Sequence, residues 1–258
     1  KVLYSTCLAT DMAGFSSIAE RLPPGELASV LNDYFDTLAQ PLKKHQVDVT
    51  EFRADAIMCA WTATQPDIEA RRKAILAALD AGAAIDQFKD RHRMPNAALR
   101  IGLEAGSAYI GHAGGGGHFV FSIVGDCANT ASRIEGLNKY TGTQILATDT
   151  VVKGIDGLLL RPLGAFQFVG KNDALPIVEI LAQNSQASVQ QLLLIERFEE
   201  ALTSYHAGHW ETAEQRFQKI LADYPNDGPT GFYLSRCRQI LDGAPQPEDP
   251  KTICMDTK

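Results

Sequence analysis

The run FSIVGDCANTASR at 121–133 carries an amide and a guanidinium at helical spacing. It opens apolar and β-branched, as a short buried strand does, and turns at Gly125-Asp126. In the helix that follows, Asn129 and Arg133 are four residues apart and share one face. Such a pair can grip an anion bidentately; the same residues also suit a capped surface helix with an exposed arginine. Asp11 and Asp55 form a second anchor, each beside an apolar run at a turn. Two carboxylates at neighbouring strand ends can hold divalent cations by oxygen ligation, a clamp suited to displacement at phosphorus. Read separately, Asp11 also fits a helix N-cap and Asp55 a hairpin turn. His112 and His118 flank a glycine run and read as solvated hairpin histidines. No Ser-His-Asp arrangement, zinc-ligand spacing or GxxxxGK[ST] loop is present in the sequence.

The elements that must position these groups belong to a chain of ordinary globular composition. Of 258 residues, 45% are hydrophobic and 21% charged, enough for one substantial domain and a smaller one. A net charge of -7 argues against general nucleic-acid binding, so a polyphosphate ligand needs local cations or metal ions. The five cysteines are odd in number and form no CxxC pair. Cys7, Cys59 and Cys127 sit in apolar runs as reduced, buried thiols, which points to a reducing, cytoplasmic setting. No run is long enough for a membrane span and no signal peptide is visible. A chain that enters a strand directly after Lys1 reads as part of a longer protein, such as the cytosolic part of a membrane-bound one.

Periodicity predicts strands at 2–10, 47–53, 56–61, 98–105, 108–112 and 119–124. It predicts helices at 26–45, 67–91 and 126–137, the first with Leu27, Val30, Leu31, Tyr34, Phe35 and Leu38 as its apolar stripe. Further strands follow at about 144–148, 158–169 and 175–182. This order describes an α+β sandwich, an antiparallel-rich sheet with helices on one face. A polar stretch at 184–190 reads as a linker. In the helical residues 194–241, Phe198, Ala201, Tyr205, Gly208, Trp210, Ala213, Phe217, Leu221 and Pro225 fit the tetratricopeptide pattern. One such unit cannot bury its own apolar face, so a protein partner or the main domain is expected to cover it. The Pro-rich tail from 243 to 258 reads as disordered.

Together these runs resemble the catalytic domain of class III nucleotidyl cyclases. TDMAGFS at 10–16 is similar to the family's first metal-binding turn, and FRADAIM at 52–58 to its second. IVGDCANTASRIE is similar to its Gly-Asp-x-Val-Asn-x-Ala-x-Arg motif, and LGAFQFVGKNDALPIVEIL at 163–181 to its closing hairpin. The resemblance covers residues 1–183 and implies a ferredoxin-like βααβ-βαβ sandwich, followed by a small all-α segment at 191–242. It implies that Asp11 and Asp55, with the Met12 carbonyl, hold two Mg²⁺ or Mn²⁺ ions. Asn129 would orient the ribose, Arg133 would meet charge on the α-phosphate, and Lys171 would contact the terminal phosphates. It also implies a homodimer, because the aspartates and the Asn129/Arg133 pair of one site come from different subunits. Ala54, Ala128 and Asn172 depart from the family pattern without removing a catalytic group.

Glu51 and Ser122 stand at the family's base-reading positions. Adenylate cyclases carry lysine at the position of Glu51, and guanylate cyclases carry glutamate. A carboxylate can accept from guanine N1–H and its exocyclic amine, whereas adenine N1 is itself an acceptor. Ser122 can donate to guanine O6 or accept from the adenine amine. The resemblance therefore implies GTP converted to cyclic GMP, with ATP to cyclic AMP as the alternative. A catalytically inactive nucleotide sensor and a scaffold built on the C-terminal helices are the competing classes; Glu51 on an edge strand could also simply face solvent.

Overall fold

The computed structural model describes residues 1–255, with all their side chains except those of residues 16, 17, 118 and 119. The elements run β1 (Val2–Ala13), α1 (Phe15–Ala19), α2 (Pro24–Lys44), β2 (Val49–Arg53), β3 (Ala56–Ala63), α3 (Ile68–His92), β4 (Ala98–Gly115) and β5 (His118–Val124). They continue with α4 (Asp126–Thr141), β6 (Ile145–Thr148), α5 (Asp149–Val152), β7 (Leu158–Gln167), β8 (Leu175–Gln183), α6 (Val189–His206), α7 (Trp210–Asp223), α8 (Gly228–Leu241) and β9 (Thr252–Cys254). The chain divides into two compact units. The first comprises residues 1–136 and 144–155, the second residues 137–143 and those from 156 onward.

In the first unit β1 is the central strand, antiparallel to β3 on one side and to β4 on the other. β2 lies outside β3, β6 runs parallel to β4, and β5 folds back along the far half of β4. Because side chains alternate across a strand, β1 presents two faces. Cys7 and Ala9 pack with Met58, Ala60 and Ala108 against Cys127, Ala128 and Ala131 of α4. On the opposite face Thr10 lies beside Tyr34 of α2 and Tyr4 beside Arg71 of α3. Tyr34 and Phe88 meet edge to face, their ring centroids 5.7 Å apart, and join α2 to α3. Helices therefore cover both faces of this sheet, not one as the sequence suggests, because α4 carries its own buried stripe of small residues.

Two strands differ from expectation. β1 runs on through Asp11 to Ala13, and residues 98–115 form a single strand where the sequence suggests two. Gly106 and Ser107 read as a break, yet each pairs in unbroken register with Ser5 and Tyr4 of β1. The helix starts follow local chemistry. Pro24 fills the first turn of α2, and Asp67 caps α3 by accepting from the Glu69 amide at 2.7 Å.

The second unit joins the β7–β8 hairpin to α6, α7 and α8. Its core packs the rings of Phe198, Tyr205, Phe217 and Tyr233 and holds one buried ionic group. Buried Arg161 of β7 donates to Glu179 of β8 at 2.7 Å and to both carboxylate oxygens of Asp227 at 2.8 and 3.0 Å. Its guanidinium lies 5.0 Å from the ring centroid of Phe198, and Tyr233 donates to the Leu163 carbonyl. These contacts explain why the division falls near residue 156 and not in the polar 184–190 stretch. The tail also differs from expectation: β9 pairs parallel to β7 and buries Ile253. Main-chain bonds from Ala165 to the Lys251 carbonyl and from Met255 to the Gln167 carbonyl join the burial of Ile253 in docking it.

Candidate active site

Asp11 sits inside β1 opposite Arg100 of β4, whose Nη1 lies 3.8 Å from Asp11 Oδ2. It is not a helix N-cap. Asp55 follows Ala54 in the β2–β3 turn, where Ala54 takes φ +53° in place of a glycine. β1 and β3 are paired neighbours, and this brings the two carboxylates within hydrogen-bonding reach of each other. Partial burial, then the Asp55 charge, raises the Asp11 carboxyl above its ordinary value. Arg100 and the Met12 amide oppose the rise. Two acids pressed together in this way suit a shared hard cation. Among the described residues, no three or more His, Cys, Asp or Glu side chains form a metal-holding group. An ion here would take its remaining ligands from main chain, water or a bound oxyanion. Met12 itself is buried within β1, with its amide toward Asp11.

The sequence reading missed Glu135 and Arg100, which complete this cluster. Glu135 lies on α4, and burial pushes its carboxyl up to about 7, with Asp11 and Asp55 adding to the rise and Arg100 opposing it. The cause is a close crossing. A Cβ on Gly102 would stand 2.2 Å from both the Ala131 carbonyl oxygen and the Glu135 amide nitrogen, so only glycine lets α4 lie on β4 here. A glycine inside an apolar strand was the signal available in the sequence. The same seating fixes the other side of α4. With Cys127, Ala128 and Ala131 against the sheet, Asn129 is exposed and Arg133 half-exposed on the side turned away. Asn129 and Arg133 do share one helical face, and it is not the face that approaches Asp11.

Glu51 and Ser122 come together, on β2 and β5. Ser122 Oγ donates to Glu51 Oε1 at 3.3 Å, and the Ile123 amide donates to Oε2 at 3.3 Å. Arg53 Nε donates to Oε1 at 2.8 Å. Partial burial works against ionisation of Glu51. The Arg53 bond, the Ile123 amide and Ser122 outweigh it and hold the carboxyl below its ordinary value. Glu51 therefore does not face open solvent; its side chain is 15% exposed.

Lys171 belongs to the second unit. It lies in the β7–β8 turn after Gly170, and its carbonyl accepts from Gln167 Nε2 at 3.3 Å. His112 meets Phe121 edge to face across the β4–β5 hairpin, and the expectation for His118 lies outside the described side chains. All five cysteines are unbridged and only Cys254 is exposed. Among the described residues no helix is long and apolar enough to cross a membrane.

Comparison with known proteins follows the same outline. Adenylate cyclase 1 of Rhizobium meliloti is 31% identical over 180 residues, which is 68% of this chain and 27% of that protein. The chain thus spans about a quarter of that relative's length. The crystal structure of the adenylyl cyclase CyaB from P. aeruginosa superposes with a TM-score of 0.63 at 18% identity, covering 73% of this chain and 98% of that one. The guanylate cyclase domain of RhGC from Catenaria anguillulae, solved in complex with GTP, superposes with a TM-score of 0.60 at 24% identity, covering 71% and 99%. At these identities the two structures speak for the mixed α+β fold alone. The profile of the Adenylate and Guanylate cyclase catalytic domain matches residues 5–174, from within β1 to beyond Lys171. On that extent the chain belongs to the adenylate and guanylate cyclase catalytic domain family.

Proposed function

We propose that this chain converts GTP to cyclic GMP and pyrophosphate, with ATP to cyclic AMP as the alternative reaction. The ribose 3′-oxygen bonds to the α-phosphorus, the bond from that phosphorus to the pyrophosphate oxygen breaks, and the hydroxyl proton is lost. The observation that carries guanine is the Glu51 carboxylate set against the Ser122 hydroxyl, an acceptor and a donor that match a guanine edge. The names of relatives support both bases: the Rhizobium meliloti protein is called an adenylate cyclase, and the Catenaria domain binds GTP.

The neighbouring carboxylates of Asp11 and Asp55 suit two Mg²⁺ or Mn²⁺ ions, with the Met12 carbonyl as a further ligand. When bound, such ions lower the pKa of the attacking hydroxyl and neutralise the leaving pyrophosphate. Asn129 orients the ribose, Arg133 meets charge developing on the α-phosphate, and Lys171 holds the terminal phosphates. Asn129 and Arg133 of α4 point away from the sheet that carries Asp11, which supports a homodimer with composite sites. The helices α6 to α8 serve as a tetratricopeptide-like surface for a protein partner.

Supplying GTP and ATP separately with Mn²⁺ and with Mg²⁺ tests the reading. More cyclic GMP than cyclic AMP is expected, and Asp55→Ala should abolish both while the protein stays folded. A large ATP preference removes the guanine assignment, and full turnover by Asp55→Ala removes the metal assignment.

A further inference from the structure

The hydrogen bonds around Glu51 leave little of its carboxylate open. Oε1 accepts from both Arg53 Nε and Ser122 Oγ, and Oε2 accepts from the Ile123 amide. A carboxylate has about four acceptor positions, two on each oxygen. One position, on Oε2, therefore remains. A guanine edge presents two parallel donors, which a carboxylate receives one on each oxygen. With Oε1 filled, one of those donors must displace Arg53 or Ser122 or stay unpaired, and an unpaired buried donor weakens binding.

Arg53 changes more than the number of acceptors. It lies two residues beyond Glu51 on β2, hence on the same side of the strand, at the end nearer Asp55. Its side chain is 53% exposed, so it can adjust to a ligand. A guanidinium carries five N–H donors, and Nε–H alone is spent on Glu51 Oε1 in the contact described. A donor beside a carboxylate oxygen complements adenine, whose edge sets a ring-nitrogen acceptor next to an amine donor. Ser122, able to donate or accept, serves either base.

We infer that Arg53 is a specificity-determining residue of the base pocket: by occupying Glu51 Oε1 and offering its own N–H groups, it makes a guanine-reading carboxylate read adenine as well. The inference rests on the proposal that Glu51 faces the base. It makes the wild-type preference for GTP a modest one, and it places the cause in a residue outside the Glu51–Ser122 pair.

The test uses the whole chain and two readouts. One is the ratio of kcat/KM for GTP over ATP, from product formed with Mn²⁺. The other is the ratio of affinities for 3′-deoxy-GTP and 3′-deoxy-ATP by calorimetry, since these nucleotides bind but cannot cyclise. Arg53→Leu keeps much of the apolar stem and removes the donors; it should raise both ratios about tenfold or more. Arg53→Gln should shift them the same way, and Arg53→Lys, which retains a cationic donor, should hold them near the wild-type value. Unchanged ratios in Arg53→Leu and Arg53→Gln, or an equal loss for both nucleotides, overturn the inference. Glu51→Ala separates the two levels of the argument. If Glu51→Ala lowers the ratios while the Arg53 variants leave them unmoved, Arg53 alone loses its role. If Glu51→Ala also leaves them unmoved, the base-facing assignment of Glu51 falls and the inference falls with it.

Discussion

Glu135 shows how one side chain inherits its chemistry from strands far away in sequence. Its carboxyl is pushed from 4.5 to about 7 chiefly by burial, with Asp11 and Asp55 adding like charge. The folded protein then holds this proton more tightly than the unfolded chain between those two values. Through this group, stability falls as pH rises across that window, because at this site the unfolded state binds fewer protons than the native one. In buffer containing EDTA, the melting temperature of Glu135→Gln should gain on that of the wild type between pH 5 and pH 8. An identical pH slope in the variant would show that Glu135 titrates normally. Asp11, Asp55, Asn129 and Arg133 are legible in the sequence because motif chemistry marks them. Glu135 and Arg100 are not, since a glutamate on a helix and an arginine on a strand are ordinary surface residues until something brings them beside an aspartate.

That something is an element, α4, and its contact with β4. The long amphipathic helices and the 47–61 hairpin are readable from hydrophobic period and turn residues. The reach of β4 through Gly106-Ser107 is not, because pairing with β1 overrides local breakers, and pairing is not a local property. The crossing at Gly102 yields a direct test. Gly102→Ala sets a methyl carbon 2.2 Å from two backbone atoms of α4. The helix must move, at a cost of about 3 kcal/mol by the usual scale of overpacking. Urea unfolding should register that loss, and turnover should fall with it because Asn129 and Arg133 travel on the same helix. In the second unit, the buried Arg161 is the comparable element-level tie. Arg161→Ala would strand Glu179 and Asp227 without their cation, costing about 3–5 kcal/mol. The sequence held no sign of this triad, as its members are 18 and 66 residues apart along the chain.

At the scale of the whole molecule, the proposed chemistry is divided between copies. Asp11→Ala and Arg133→Ala should each be inactive alone. Mixed under conditions that allow subunit exchange, they should recover part of the activity, because one of the two composite sites in a mixed pair keeps all its groups. Absence of any recovery would place all the groups of a site within a single copy.

α4 spends one side on its own sheet and turns the other outward. On the composite-site reading, no isolated copy can turn over substrate, however well folded it is. Dilution alone then acts as an off-switch, and output per chain should decline as encounters between copies become rare. Anything that gathers chains together would set the rate of signal production without touching a catalytic atom.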